Sequence, residues 1–165
     1  MDNTNSSSTF SVSVLLLRIL TLLFLLIALI IIAISEYTEI TYFGTTKRKF
    51  DHVQAYRYMF STIVVGFAYN LLQLAFSIFT MVSRKRALSG DGGYLFDFYG
   101  DKIMSYLLLS GSAAGFGFSA ELLRVVPSNP FLEKANASAG LLLVGFIFNA
   151  IASIFTSFAL PKKPN

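Results

Sequence analysis

Asp97–Ala120, DFYGDKIMSYLLLSGSAAGFGFSA, is the stretch whose reading decides the fold. Behind its opening carboxylates it is apolar enough to cross a bilayer, for which about 20 residues suffice. It also carries a density of Gly, Ser and Ala that lipid does not require. Small residues let helix backbones approach closely, and Gly111 and Gly115 form a GxxxG pair here. Asp101 needs a partner if it sits below the headgroups, and among the apolar runs Arg18 is the positive charge placed to supply one. The expectation is a polytopic membrane protein whose helices pack around this element.

The totals agree. Of 165 residues, 55% are hydrophobic and 13% charged, and the mean hydropathy is +0.65. These values lie outside the range of a soluble domain. The net charge of +4 needs no nucleic-acid partner, because basic groups flanking membrane helices produce it. The chain has no cysteine, which removes disulfides, thiolate nucleophiles and cysteine metal sites. His52 stands alone in a polar connection, so neither a metal cluster nor a Ser-His-Asp triad can be assembled. No catalytic site and no cofactor are expected. GDGG at 90–93 is read as a loop, without the strand and spacing of a dinucleotide fingerprint. No cleavable signal peptide is evident.

Working outward, residues 1–10 are polar and read as a disordered tail. A membrane domain follows over 11–160, with spans at about 12–34, 55–82, 98–123 and 138–160, and a short tail over 161–165. The first span is about 34 Å long at 1.5 Å per residue, enough for a hydrocarbon core of about 30 Å. Alternation in the connection after it suggests a short hairpin around Gly44. Pro127 and Pro130 are read as stopping the third helix. Asn5 and Asn136 each open a glycosylation sequon.

Polar residues recur on one face of two spans. Gly66, Asn70, Gln73 and Ser77 are spaced four, three and four apart. Gly145, Asn149, Ala152 and Thr156 repeat that pattern. Such stripes point at other helices rather than at lipid. The shared words VGFAYN and VGFIFN suggest an internal repeat of spans one and two in spans three and four. Four spans put both termini on one side. Arg84, Lys85, Arg86, Lys162 and Lys163, hard against span ends, favour the cytoplasm for that side.

Spans one and three run parallel, and Arg18 and Asp101 both lie in the first half of their runs. They can therefore meet in one leaflet and relieve a cost of roughly 2.5–3.5 kcal/mol for a lone charge at a helix centre. The other reading has Arg18 snorkelling to the headgroups and Asp101 capping its helix. A proton or ion relay is a third, with no second deep acid to support it.

These residues resemble a known family: the Casparian strip membrane domain proteins and their CASP-like relatives in plants, kin of the MARVEL four-span proteins. The resemblance rests on Val14-Leu15-Leu16-Leu17-Arg18-Ile19 in the first span. It rests also on Gly100-Asp101-Lys102-Ile103-Met104-Ser105 and the small residues that follow in the third. The family's Arg in span one and Asp in span three fall on Arg18 and Asp101. The chain differs from the strip-forming members in its first outer loop and in lacking cysteines. The resemblance implies an all-α four-helix bundle in the plasma membrane with cytoplasmic termini. It also implies homodimers or higher homo-oligomers, hetero-oligomers with related members, and a scaffold that organises membrane subdomains and local cell-wall modification.

Two functions are therefore weighed. In the first, a self-associating scaffold, the packing or oligomerisation surfaces are Gly66, Asn70, Gln73, Gly111, Gly115, Gly145 and Asn149. Gly111→Leu or Gly115→Leu is then expected to weaken assembly while leaving insertion intact. In the alternative, a small transporter or channel, Asn70, Gln73, Asn149 and Thr156 line a pore.

Overall fold

Helix α1 runs Asp2–Ala33, and strands β1 (Glu36–Thr41) and β2 (Gly44–Lys49) follow. Three further helices complete the chain: α2 (Gln54–Ser83), α3 (Asp91–Val125) and α4 (Pro130–Phe158). The computed structural model describes residues 2–41, 44–49, 53–83, 91–125 and 130–158, with side chains for 12–35, 53–80, 82, 97–124 and 130–157. Four helices are long and apolar enough to cross a membrane, over Val12–Ala33, Gln54–Thr80, Asp97–Arg124 and Pro130–Ser157. The four-helix architecture expected from the apolar runs is the one observed.

Three boundaries differ from the expectation. The segment 2–10, read as a tail, belongs to α1. No Gly or Pro interrupts it, and a helix already nucleated by an apolar span extends at little cost. Helix α3 begins at Asp91, so Asp91, Gly92 and Gly93 open a helix instead of lying in a loop. Pro130 starts α4 rather than ending α3. Proline lacks an N–H, and the first turn of a helix leaves its N–H groups unpaired anyway, so proline fits there. The fourth span accordingly begins earlier than residue 138. Pro127 and the basic cluster Arg84–Arg86 lie outside the described residues, as do residues 161–165.

The expected hairpin is present. β1 and β2 are antiparallel, with Glu36 opposite Lys49 and Thr41 opposite Gly44. The end of α1 is closed locally. Ser35 Oγ donates to the Ile31 carbonyl at 2.6 Å, and Ser35 N donates to the Ile32 carbonyl at 3.2 Å. These bonds occupy carbonyls that the end of a helix would otherwise leave unpaired.

The helices form a ring in which α1 packs on α2 and α4, and α3 packs on the same two. Helices α1 and α3 are therefore diagonal and barely touch. Each helix turns inward a face that repeats every three to four residues. On α1 it is Arg18, Leu22, Leu25, Ala28 and Ile32; on α3, Asp101, Ser105, Leu108, Ser112 and Ser119. That spacing keeps one seam facing the bundle interior. Midway along the axis lie Leu25, Ile63, Leu108 and Leu142, all fully buried. At the hairpin end Tyr56 stacks edge-on against Phe118 and Phe131, with ring centroids 5.2 and 5.4 Å apart. Its hydroxyl meets Ser119 Oγ at 2.9 Å. Arg18, Asp101 and the side chains bonded to them gather at the other end, where α1 begins and α4 ends.

Close approach between helices depends on small residues and on serines that reach across. Ser138 Oγ donates to the Ala28 carbonyl at 2.8 Å, joining α4 to α1. Ser112 Oγ donates to the Ala139 carbonyl at 2.9 Å, joining α3 to α4. Gly111 and Gly115 face inward. A Cβ at Gly111 would collide with the Thr62 side chain of α2. One at Gly115 would lie 2.5 Å from Met59 Sδ and 3.1 Å from the Ala139 Cβ of α4. The GxxxG pair is spent inside the chain, so a bulky residue at Gly111 or Gly115 disturbs the bundle itself.

Candidate functional site

Asp101 sits one turn into the third span, and every other helix reaches its carboxylate. Arg18 Nη2 of α1 donates to Oδ2 at 3.2 Å. The Tyr69 hydroxyl of α2 donates to Oδ1 at 2.9 Å, and Thr156 Oγ1 of α4 donates to Oδ2 at 3.3 Å. Arg18 is 4% exposed and Asp101 1%. The ion pair crosses the diagonal of the ring, so that an arginine's length joins two helices that do not pack directly.

A second set of bonds holds the first in place. Gln73 Nε2 donates to the Tyr69 hydroxyl at 2.8 Å, one turn away on α2, so that oxygen accepts from one side and donates to the other. The peptide carbonyl of Asp101 accepts from Ser105 Oγ at 2.8 Å and from Asn149 Nδ2 at 3.1 Å. Asn149 Nδ2 also reaches Ser105 Oγ at 2.9 Å. Gly100 lets Tyr69 pass: a Cβ there would run into the phenol ring and its hydroxyl. Such a network is worth most where every member has a partner. Arg18 makes one bond within it, its Nε and Nη1 having no hydrogen-bond partner among the described residues.

The remaining residues singled out from sequence are distributed as follows. Gly66 and Gly145 both face Leu25 of α1, with a Cβ at Gly145 only 3.4 Å from Leu25 Cδ2. Gly66 is also closed off by Leu108 of α3. The two glycines thus both make room for Leu25. The two asparagines differ. Asn149 bonds to α3, whereas Asn70 Nδ2 returns to the Gly66 carbonyl of its own helix at 2.9 Å. Ser77 does the same with Gln73 at 2.9 Å. Asn136 lies within α4, and its side-chain oxygen is buried. Among the described residues no group of His, Cys, Asp and Glu is placed to hold a metal ion.

Sequence reasoning missed Tyr69, Ser105 and Gly100. Two of them carried a signal. Tyr69 is four residues before Gln73, and Ser105 is four after Asp101, so each shares a helical face with a residue already suspected. Gly100 stands in the motif that carries the family resemblance, but nothing in the sequence showed that it makes room for Tyr69.

A ring of four membrane-crossing helices tied at one carboxylate, with the cation on the first helix and the anion on the third, defines a class of small polytopic membrane protein. The Casparian strip membrane protein domain matches residues 7–148, and the chain belongs to that family. It is 66% identical over 163 residues to CASP-like protein 4D1 of Glycine max, covering 98% of this chain and 95% of the relative. CASP-like protein 4D2 of Arabidopsis thaliana is 42% identical over 165 residues, covering 94% and 93%. CASP-like protein 4D1 of Ricinus communis is 46% identical over 121 residues, covering 71% and 72%. These relatives are plant proteins. No solved structure matches the chain.

Proposed function

We propose that this chain is a self-associating scaffold of the plant plasma membrane. Both termini face the cytoplasm, and its assemblies mark out membrane subdomains in which wall modification is organised locally. Its partners are further copies of itself, related family members and the surrounding lipid, and the reading assigns it no catalytic chemistry. Membership of the family supports this role, since the family's name places it in a specialised membrane domain.

One structural observation carries the reading. The residues that would line a pore are engaged with one another or with their own helices. Asn149 and Thr156 hold Asp101, Gln73 holds Tyr69, and Asn70 holds its own backbone. Side chains committed in this way fix the bundle. Of these four, the Asn70 Oδ1 alone is a buried atom without a hydrogen-bond partner among the described residues, and one open acceptor is not a path for a permeant. Within the described membrane spans, what remains to interact with other molecules is the outer, apolar surface.

The test is a fluorescently tagged copy expressed in plant cells and bleached locally. A scaffold gives discrete plasma-membrane patches that recover slowly or not at all. An even signal that recovers at the rate of a free four-span protein overturns the proposal. Liposome flux abolished by Asn70→Leu, with the bundle intact, would establish transport in its place.

A further inference from the structure

We propose that the outward face of α3 is the surface on which a second copy of this chain docks, side by side and in the same orientation. The inference rests on the self-association reading above and names the surface through which it occurs. Tyr106, Ser110, Ala113, Gly117, Glu121 and Arg124 follow one another at steps of three or four residues and so share one stripe of the helix. It is the stripe opposite Asp101, Leu108 and Gly115, and all six residues are exposed.

Two observations say what covers it. Tyr106 is 74% exposed, and at 1.5 Å per residue it stands about 13 Å along the span from Asp97, inside the hydrocarbon. Its hydroxyl makes no hydrogen bond among the described residues. A phenol facing acyl chains at that depth is costly, because lipid offers no acceptor. The second observation lies at the far end of the stripe. Glu121 and Arg124 are 70% and 79% exposed and only loosely paired, at 3.7 Å. Two copies inserted the same way are related by a twofold axis along the membrane normal, which brings the same surface of each together. Glu121 of each copy then faces Arg124 of the other, and the two Tyr106 hydroxyls meet near the axis. A partner of single charge could answer Glu121 or Arg124 but not both; a second copy answers both.

The residues between these ends permit the approach. Ser110 is held from the side by the Tyr58 hydroxyl of α2 at 2.9 Å. A Cβ at Gly117 meets nothing within 4 Å. Gly117 therefore differs from Gly111 and Gly115, which are filled by the chain's own helices. A large side chain at Gly117 harms nothing inside the monomer and blocks only a helix arriving from outside.

The experiment uses the full chain, purified and reconstituted in lipid vesicles at varied protein-to-lipid ratio, with association read by energy transfer between labelled copies. Gly117→Ile is expected to weaken association by about tenfold or more while the thermal midpoint in micelles stays unchanged. Glu121→Arg is expected to weaken it as well, and Glu121→Arg with Arg124→Glu to restore it, since the swapped pair is again self-complementary. If the wild type associates and Gly117→Ile and Glu121→Arg associate equally well, the α3 face is excluded and the scaffold reading survives. If the wild type stays monomeric at every density, the self-association reading itself fails.

Discussion

Asp101 accepts a hydrogen bond from each of the other three helices, and that sets how the site responds to substitution. Asp101→Ala removes the acceptor of Arg18, Tyr69 and Thr156 at once and leaves a buried guanidinium alone. Breaking a buried pair by removing one partner costs about 3–5 kcal/mol. Arg18→Met leaves the carboxylate two hydroxyl donors, so it should be the milder change. Arg18→Met with Asp101→Leu should be milder than Asp101→Ala alone, because no charge is stranded. Thermal unfolding in detergent should rank the three in that order, and a double variant less stable than Asp101→Ala would refute the account. The charge swap Arg18→Asp with Asp101→Arg suggests itself from sequence, yet the geometry predicts that it does not rescue. The swap moves the long arm to α3, and an arginine at 101 must enter a space already filled by Tyr69 against Gly100. Tyr69→Phe should cost about 1–3 kcal/mol, the range for leaving buried polar partners unpaired, here Gln73 and one oxygen of Asp101.

At the scale of the helix, glycines grade the tightness of each contact. Gly111→Ala drives a methyl into Thr62, whose β-branched side chain has little freedom to move aside. Gly115→Ala meets first the flexible end of Met59. Gly145→Ala meets Leu25 at ordinary contact distance. The thermal midpoint should therefore fall most for Gly111→Ala, by an overpacking cost of about 1–3 kcal/mol. It should fall less for Gly115→Ala and hardly at all for Gly145→Ala. Equal midpoints for all three would mean that these glycines are not what sets the helix separation. The same comparison separates the inward α2–α3 and α3–α4 contacts from the outward stripe through Gly117.

For the whole molecule, the polar node and the aromatic layer divide the bundle lengthwise. The node lies at the end where α1 begins and α4 ends, and Tyr56, Phe118 and Phe131 lie at the hairpin end. With cytoplasmic termini, the hairpin faces outward. A glycosylation sequon inserted between β1 and β2 should acquire a glycan in microsomes, whereas one appended after residue 165 should not. The reverse pattern would invert the topology. The native sequon at Asn136 should stay unmodified, because it is inside α4 with its side-chain oxygen buried; a mobility shift lost in Asn136→Gln would contradict this.

Composition and periodicity determined the number of membrane-crossing helices, the hairpin, the inward stripes and the two charges worth suspecting. These are properties of single segments: bilayer thickness fixes the length of an apolar run, and helical pitch fixes which residues share a face. Helix starts at Asp2, Asp91 and Pro130 were less legible, because polar residues extend a nucleated helix as readily as they form a loop. Only the tertiary structure decided that α1 and α3 are diagonal and joined by an arginine's length. Only it showed that Tyr69 and Thr156 complete the carboxylate's partners, and that Gly111 and Gly115 close the bundle while Gly117 stays open. Which neighbour fills the space beside a glycine depends on how four helices are arranged around one another, and no single stretch of chain encodes that arrangement by itself.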